Sequence, residues 1–84
     1  MKLTADLSLY PLREDYIPII KGFIDDLCAT EDVLVARNAM STQLCGDYDE
    51  VFDLVREILR RSAKQFGKQV LVCKFIPGEL DIAG

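Results

Sequence analysis

The chain has 84 residues, with 10 Lys plus Arg against 14 Asp plus Glu and no histidine, so its net charge at pH 7 is −4. Of these residues 50% are apolar and 29% charged, a globular composition that excludes a disordered or low-complexity chain. The absence of histidine removes Ser/His and Cys/His nucleophile pairs and two-histidine metal sites, so a binder is the leading class, with no catalytic residue, metal or cofactor to assign.

Cys28, Cys45 and Cys73 lie far apart with no CxxC pair, which fits buried or half-buried thiols rather than a disulfide framework or a zinc site. No apolar run approaches the roughly 18 to 20 residues that span a bilayer. Residues 1–6 lack the apolar core of a signal peptide, and a cytoplasmic location is expected. A domain of this size buries only roughly 60 to 65% of its unfolded surface, which favours shared burial with a second copy.

Leu3, Ala5, Leu7 and Leu9 alternate with Thr4, Asp6, Ser8 and Tyr10, the period of a strand with one apolar and one polar face. Pro11 ends it. Glu14 and Asp15 precede Pro18, and together they open a helix: carboxylates suit its positive end, and proline is tolerated in a first turn. Tyr16, Ile20, Phe23, Ile24, Leu27 and Cys28 form its apolar stripe, which predicts a helix running to about Ala29. Residues 32–37 and 40–45 read as a hairpin around Asn38 and Ala39, with Arg37 and Asn38 solvated. Gly46 serves the backbone, through a left-handed turn or a close approach.

Asp47 with Glu50 has capping-box spacing and starts a second helix. Tyr48, Val51, Phe52, Val55, Ile58, Leu59, Ser62 and Phe66 follow its period, while Arg60, Arg61 and Lys64 crowd its negative end and Gly67 caps it. Residues 69–76 form a last strand, with Leu71, Cys73 and Phe75 on one side and Val70, Val72 and Lys74 on the other, before Pro77 and Gly78 break it.

The order strand, helix, strand, strand, helix, strand predicts a single α+β domain over 1–84. Its ordered core spans about 3–76, and 77–84 form a C-terminal tail. The architecture is a ferredoxin-like βαββαβ sandwich, a four-stranded antiparallel sheet with two helices on one face. The other face carries Thr4, Asp6, Ser8, Tyr10, Ser41, Gln43, Cys45, Val70, Val72 and Lys74. It is too apolar for a plainly solvated surface, so a ligand or another chain's sheet is expected to cover it.

Two segments carry a family resemblance: 7–12, LSLYPL, at the exit of the first strand, and 40–52, MSTQLCGDYDEVF, from the third strand into the second helix. Together they resemble the YkoF-like family over nearly the whole chain. The resemblance implies a ferredoxin-like domain, used singly or in tandem, that binds thiamine or its hydroxymethylpyrimidine part, a link to thiamine uptake or homeostasis, and no catalysis. A single repeat then implies that two or more copies associate, as a dimer or tetramer, through the open sheet face.

For such a ligand Asp6 is placed to accept from an exocyclic amine or sit near the thiazolium cation, Ser8 and Ser41 to meet ring atoms, and Tyr10 to offer an aromatic face. Thr42 enters through the family motif alone, since its parity points toward the helices. Each has a plainer role: Asp6 as a cross-strand partner of Lys74, the serines as small polar fillers, Tyr10 as packing at the sheet's end, Thr42 as a backbone bonder. An acidic chain attracts cationic thiamine and repels its diphosphate.

The main alternative is an ACT-like regulatory or dimerisation module without a thiamine ligand, for which paired open faces would account for Val70 and Val72. An acylphosphatase-type enzyme needs a glycine-bearing anion loop, whereas here Arg13 is followed by Glu14 and Asp15. Nucleic-acid binding is disfavoured by the net negative charge, and no membrane insertion is expected.

Overall fold

A computed structural model describes residues 1–83. The elements are β1 (Lys2–Pro11), α1 (Tyr16–Cys28), β2 (Leu34–Arg37), β3 (Thr42–Asp47), α2 (Tyr48–Phe66) and β4 (Gln69–Pro77). The strands form one sheet in the order β2-β3-β1-β4, with every neighbouring pair antiparallel. β1 and β2 therefore run parallel with β3 between them, and β3 and β4 run parallel with β1 between them. Both helices cover the same face, because Leu3, Ala5, Leu7 and Leu9 of β1 and Leu44 of β3 share one buried cluster with Ile19, Phe23 and Leu27 of α1 and Val51, Val55 and Ile58 of α2. This is the ferredoxin-like sandwich expected from the order of elements.

The hairpin lies two residues further along than its apolar pattern indicated. β3 runs on through Gly46 to Asp47 and leaves Met40 and Ser41 in the loop. Gly46 is there for closeness, not for a left-handed turn: a Cβ at this position would stand 3.3 Å from Val33 Cγ2 and 3.4 Å from the Asp32 carbonyl oxygen. Asp47 caps α2, its carboxylate accepting from the Glu50 amide at 3.5 Å. Gly67 ends that helix with φ +88°, and its N–H donates to the Ala63 carbonyl at 2.9 Å.

α1 departs from expectation in phase and at its start. Its buried residues are Ile19, Phe23 and Leu27, with Tyr16 and Cys28 exposed and Ile20 and Ile24 half-buried. The helix begins at Tyr16, and Asp15 makes no cap; its carboxylate instead takes Arg13 Nε at 2.9 Å and Nη2 at 3.1 Å. In α2, Tyr48 and Phe52 also leave the predicted core. They form an aromatic cluster at its flank, with Phe52 in contact with Phe75 of β4 at a ring-centroid distance of 4.7 Å.

Beyond β4 the chain, read from the sequence as a tail, turns back over one end of the open face. The Gly78 amide donates to the Lys2 carbonyl at 2.9 Å. Thr4 Oγ1 donates to the Gly78 carbonyl at 2.9 Å and accepts from the Leu80 amide at 3.1 Å. Leu80, Asp81 and Ile82 then stand beside Leu34 and Cys45. Thr4 and Cys45 are consequently buried on a face whose other end, around Tyr10, Val70 and Val72, is exposed.

Candidate functional site

The site follows from unequal strand lengths. The β1–β3 ladder ends at Leu7 opposite Thr42, while β1 continues along β4 as far as Pro11 opposite Gln69. Residues 38–41 turn away from β1, held by an Asn38 N–H bond to the Ser41 carbonyl at 2.9 Å. The gap so opened, closed on one side by α1, is a cavity of about 420 Å³. Ser8, Leu9, Tyr10 and Pro11 line it from β1, Tyr16, Ile20, Phe23 and Ile24 from α1, and Asn38, Ala39, Met40, Ser41 and Thr42 from the hairpin. Its volume lies within the roughly 300 to 1,000 Å³ range of small-molecule pockets.

Backbone groups join the side chains. The Tyr48 N–H bond to the Met1 carbonyl and the Leu12 N–H bond to the Lys68 carbonyl fix the alternation: odd residues of β1 bond toward β3 and even ones toward β4. Leu9 is an odd residue beyond the last β3 partner, so its N–H and C=O are directed to the cavity side with no ladder partner.

Four of the five residues singled out from the sequence, Ser8, Tyr10, Ser41 and Thr42, come together on this cavity. Asp6 does not line it. Its carboxylate accepts from Ser41 Oγ at 2.6 Å, and that bond, rather than an ion pair with its register partner Lys74, is the one it makes. Ser41 thus has its proton committed to Asp6 and turns lone pairs to other neighbours. Ser8 Oγ lies 3.5 Å from the Met40 carbonyl. Thr42 is buried toward the helices, as its parity required, and reaches the cavity because the cavity extends through the sheet to the helix side rather than resting on the open face alone.

The α1 contribution was missed. Tyr16 and Ile20 were read as core and Asn38 as solvated, although an aromatic at a helix start followed by more isoleucines than a small core needs was an available signal. No Asp, Glu, Lys or Arg lines the cavity. The residue set offers hydroxyls, one amide and aromatic surface, which suits an uncharged polar ring. Among the described residues no group of three or more His, Cys, Asp or Glu is arranged to hold a metal, and no helix is long and apolar enough to cross a membrane.

Fold and cavity together define a small ferredoxin-like domain with a cavity lined by uncharged residues at a gap in its sheet. The model of the YKOF-related family matches residues 2–76, and the chain belongs to that family. Among solved structures it is similar to a Streptococcus pneumoniae protein at 26% identity, with a TM-score of 0.85 over 95% of this chain and 90% of that one. It is similar to a Thermotoga maritima protein, whose own proposed role is thiamine biosynthesis or salvage, at 21% identity and a TM-score of 0.80 over 89% and 82% of the two chains. A hypothetical protein of Methanocaldococcus jannascii is 25% identical, with a TM-score of 0.79 over 93% and 81%. No functionally curated protein matches the chain.

Proposed function

We propose that the cavity binds an aminopyrimidine, either free hydroxymethylpyrimidine or the same ring of thiamine, and that the protein is a non-catalytic binder of this compound. The observation that carries the reading is the uncharged cavity at the end of the β1–β3 ladder, where Leu9 presents an amide N–H and a carbonyl side by side. An aminopyrimidine edge offers a ring nitrogen that accepts beside an amine that donates, the complement of that backbone pair. Ser41, its proton held by Asp6, is a second acceptor for the amine, and Tyr10, Tyr16 and Phe23 supply surface for the flat ring. Membership in the YKOF-related family and the likeness to the Thermotoga protein support the same ligand class.

Asp6 acts here through Ser41 rather than by direct contact. The thiazolium part of thiamine lies toward the mouth of the cavity, where the net negative charge of the chain favours it. The test is calorimetric titration with hydroxymethylpyrimidine, thiamine and thiamine diphosphate. Saturable binding of the first two is expected, weakened roughly tenfold by Ser41→Ala through loss of one hydrogen-bond acceptor. Heat from none of the three, with a folded protein, refutes the reading.

A second reading, an assembly module of the ACT-like kind, draws on the open face, where Tyr10, Val70 and Val72 are 56%, 47% and 45% exposed. Stacking of two copies through that face would cover them. An associating protein that binds none of the three compounds would favour this reading.

A further inference from the structure

The residues lining the cavity divide by exposure. Leu7, Leu9 and Phe23 are buried within it, whereas Tyr10, Tyr16 and Met40 are 56%, 49% and 91% exposed and so stand at its mouth. The two tyrosines sit on a strand and a helix, each with a rigid ring and few torsions. Met40 instead belongs to the loop between β2 and β3.

Exposure of one apolar residue needs no explanation by itself. What sets Met40 apart is that its backbone is held while its side chain is not. The Asn38 N–H donates to the Ser41 carbonyl at 2.9 Å, Ser41 Oγ donates to Asp6 at 2.6 Å, and Ser8 Oγ donates to the Met40 carbonyl at 3.5 Å. Thr42, two residues on, is buried at the last rung of the β1–β3 ladder. The loop is therefore pinned around Met40, and the thioether chain, unbranched and with three soft torsions, can swing across the mouth without any movement of backbone.

We propose that the Met40 side chain folds over a ring bound in the cavity and closes its mouth, so that Met40 is a binding residue with no part in holding the free fold. The inference rests on the ligand reading above and adds to it the group that covers the ring from outside. A flat ring seated among Leu9, Phe23 and Tyr16 leaves part of its surface at the mouth, and the one long apolar side chain that the loop supplies is Met40. Closure takes that surface and the thioether out of water together. It also brings a polarisable sulfur against a π system, a favourable contact.

The chain holds two methionines, and the other is an internal reference: Met1 is 83% exposed, and its carbonyl bonds the Tyr48 amide at the far end of β1 from the cavity. Dilute hydrogen peroxide transfers one oxygen to a methionine sulfur, giving the sulfoxide and water, at a rate that follows access. With the intact protein and saturating hydroxymethylpyrimidine, oxidation of Met40 relative to Met1, read from peptide masses, should slow roughly fivefold or more. By calorimetry Met40→Ala should bind that compound roughly tenfold more weakly. Met40→Leu, which restores an apolar cover, should stay within roughly threefold of the wild type. The urea midpoint of Met40→Ala should not move, because the side chain is exposed in the free protein. Saturable binding with an unchanged Met40 to Met1 oxidation ratio overturns the proposal and leaves the ligand reading standing, as does Met40→Ala binding as tightly as the wild type. A lowered midpoint in Met40→Ala returns this side chain to the fold and overturns it too. A titration silent for the wild type refutes the ligand reading and the closure with it.

Discussion

A methyl group added at Gly46 meets the side chain of Val33 and the backbone of Asp32 at 3.3 and 3.4 Å, so one of them has to give. Because Asp32 contributes backbone, the strain cannot be relieved by a rotamer change alone, and Gly46→Ala should cost about 1 to 2 kcal/mol, read from the urea midpoint at unchanged slope. At Asp6 and Ser41 the same scale of argument works in the opposite sense. Their 2.6 Å bond fixes which atom of Ser41 carries the proton, and so what Ser41 has left for a ligand. The three thiols differ by position: Cys28 is exposed, Cys45 lies under the returning C-terminal segment, and burial pushes the Cys73 thiol above its ordinary value and keeps it protonated near neutrality.

Among the elements, the segment beyond β4 depends most on one side chain. Thr4 Oγ1 both donates to the Gly78 carbonyl and accepts from the Leu80 amide. Thr4→Val keeps the shape and removes both bonds. It should lower stability by about 1 to 2 kcal/mol and expose residues 78–83 to protease before the sheet opens, which limited digestion followed by mass measurement will detect. How legible each element was follows from its pattern. β1 alternates without exception from Leu3 to Tyr10, so its two faces, its partners and the fold that follows from them could be read directly. α1 was found but misphased, because Tyr16, Ile17, Ile19, Ile20, Phe23 and Ile24 leave more than one apolar stripe open, and packing on β1 chose Ile19. β3 was set two residues early because Met40 is apolar yet 91% exposed. The fold of 78–83 rests on a hydroxyl 74 residues away from its first acceptor, and no local pattern reports that. Ser8, Tyr10, Ser41 and Thr42 were found through motif and parity, while the α1 wall of the cavity needed three-dimensional packing to appear.

At the scale of the whole molecule, charge and cavity act separately. The chain carries a net charge of −4, yet its cavity is lined by neutral groups only. The affinity for hydroxymethylpyrimidine should therefore stay constant as the Debye length falls from about 30 Å at 0.01 M salt to about 8 Å at 0.15 M. Thiamine diphosphate, opposed by the acidic surface, should bind more weakly at the lower salt and improve with screening, and titration at both ionic strengths checks the pair of outcomes. The cationic side chains change little in this picture, since Arg56 and Arg60 sit 3.5 and 3.7 Å from Asp53 and Glu57 on their own helix and Arg61 stands 3.7 Å from Asp26 of α1. The ten residues of β1 against the six of β3 have one more effect. Because the cavity is the difference between two backbone lengths, its aperture is adjusted by the loop at 38–41 without disturbing a single rung of the ladder. An insertion or deletion in that one turn would in this way reshape the cavity while leaving the core, the caps and the sheet order as they are.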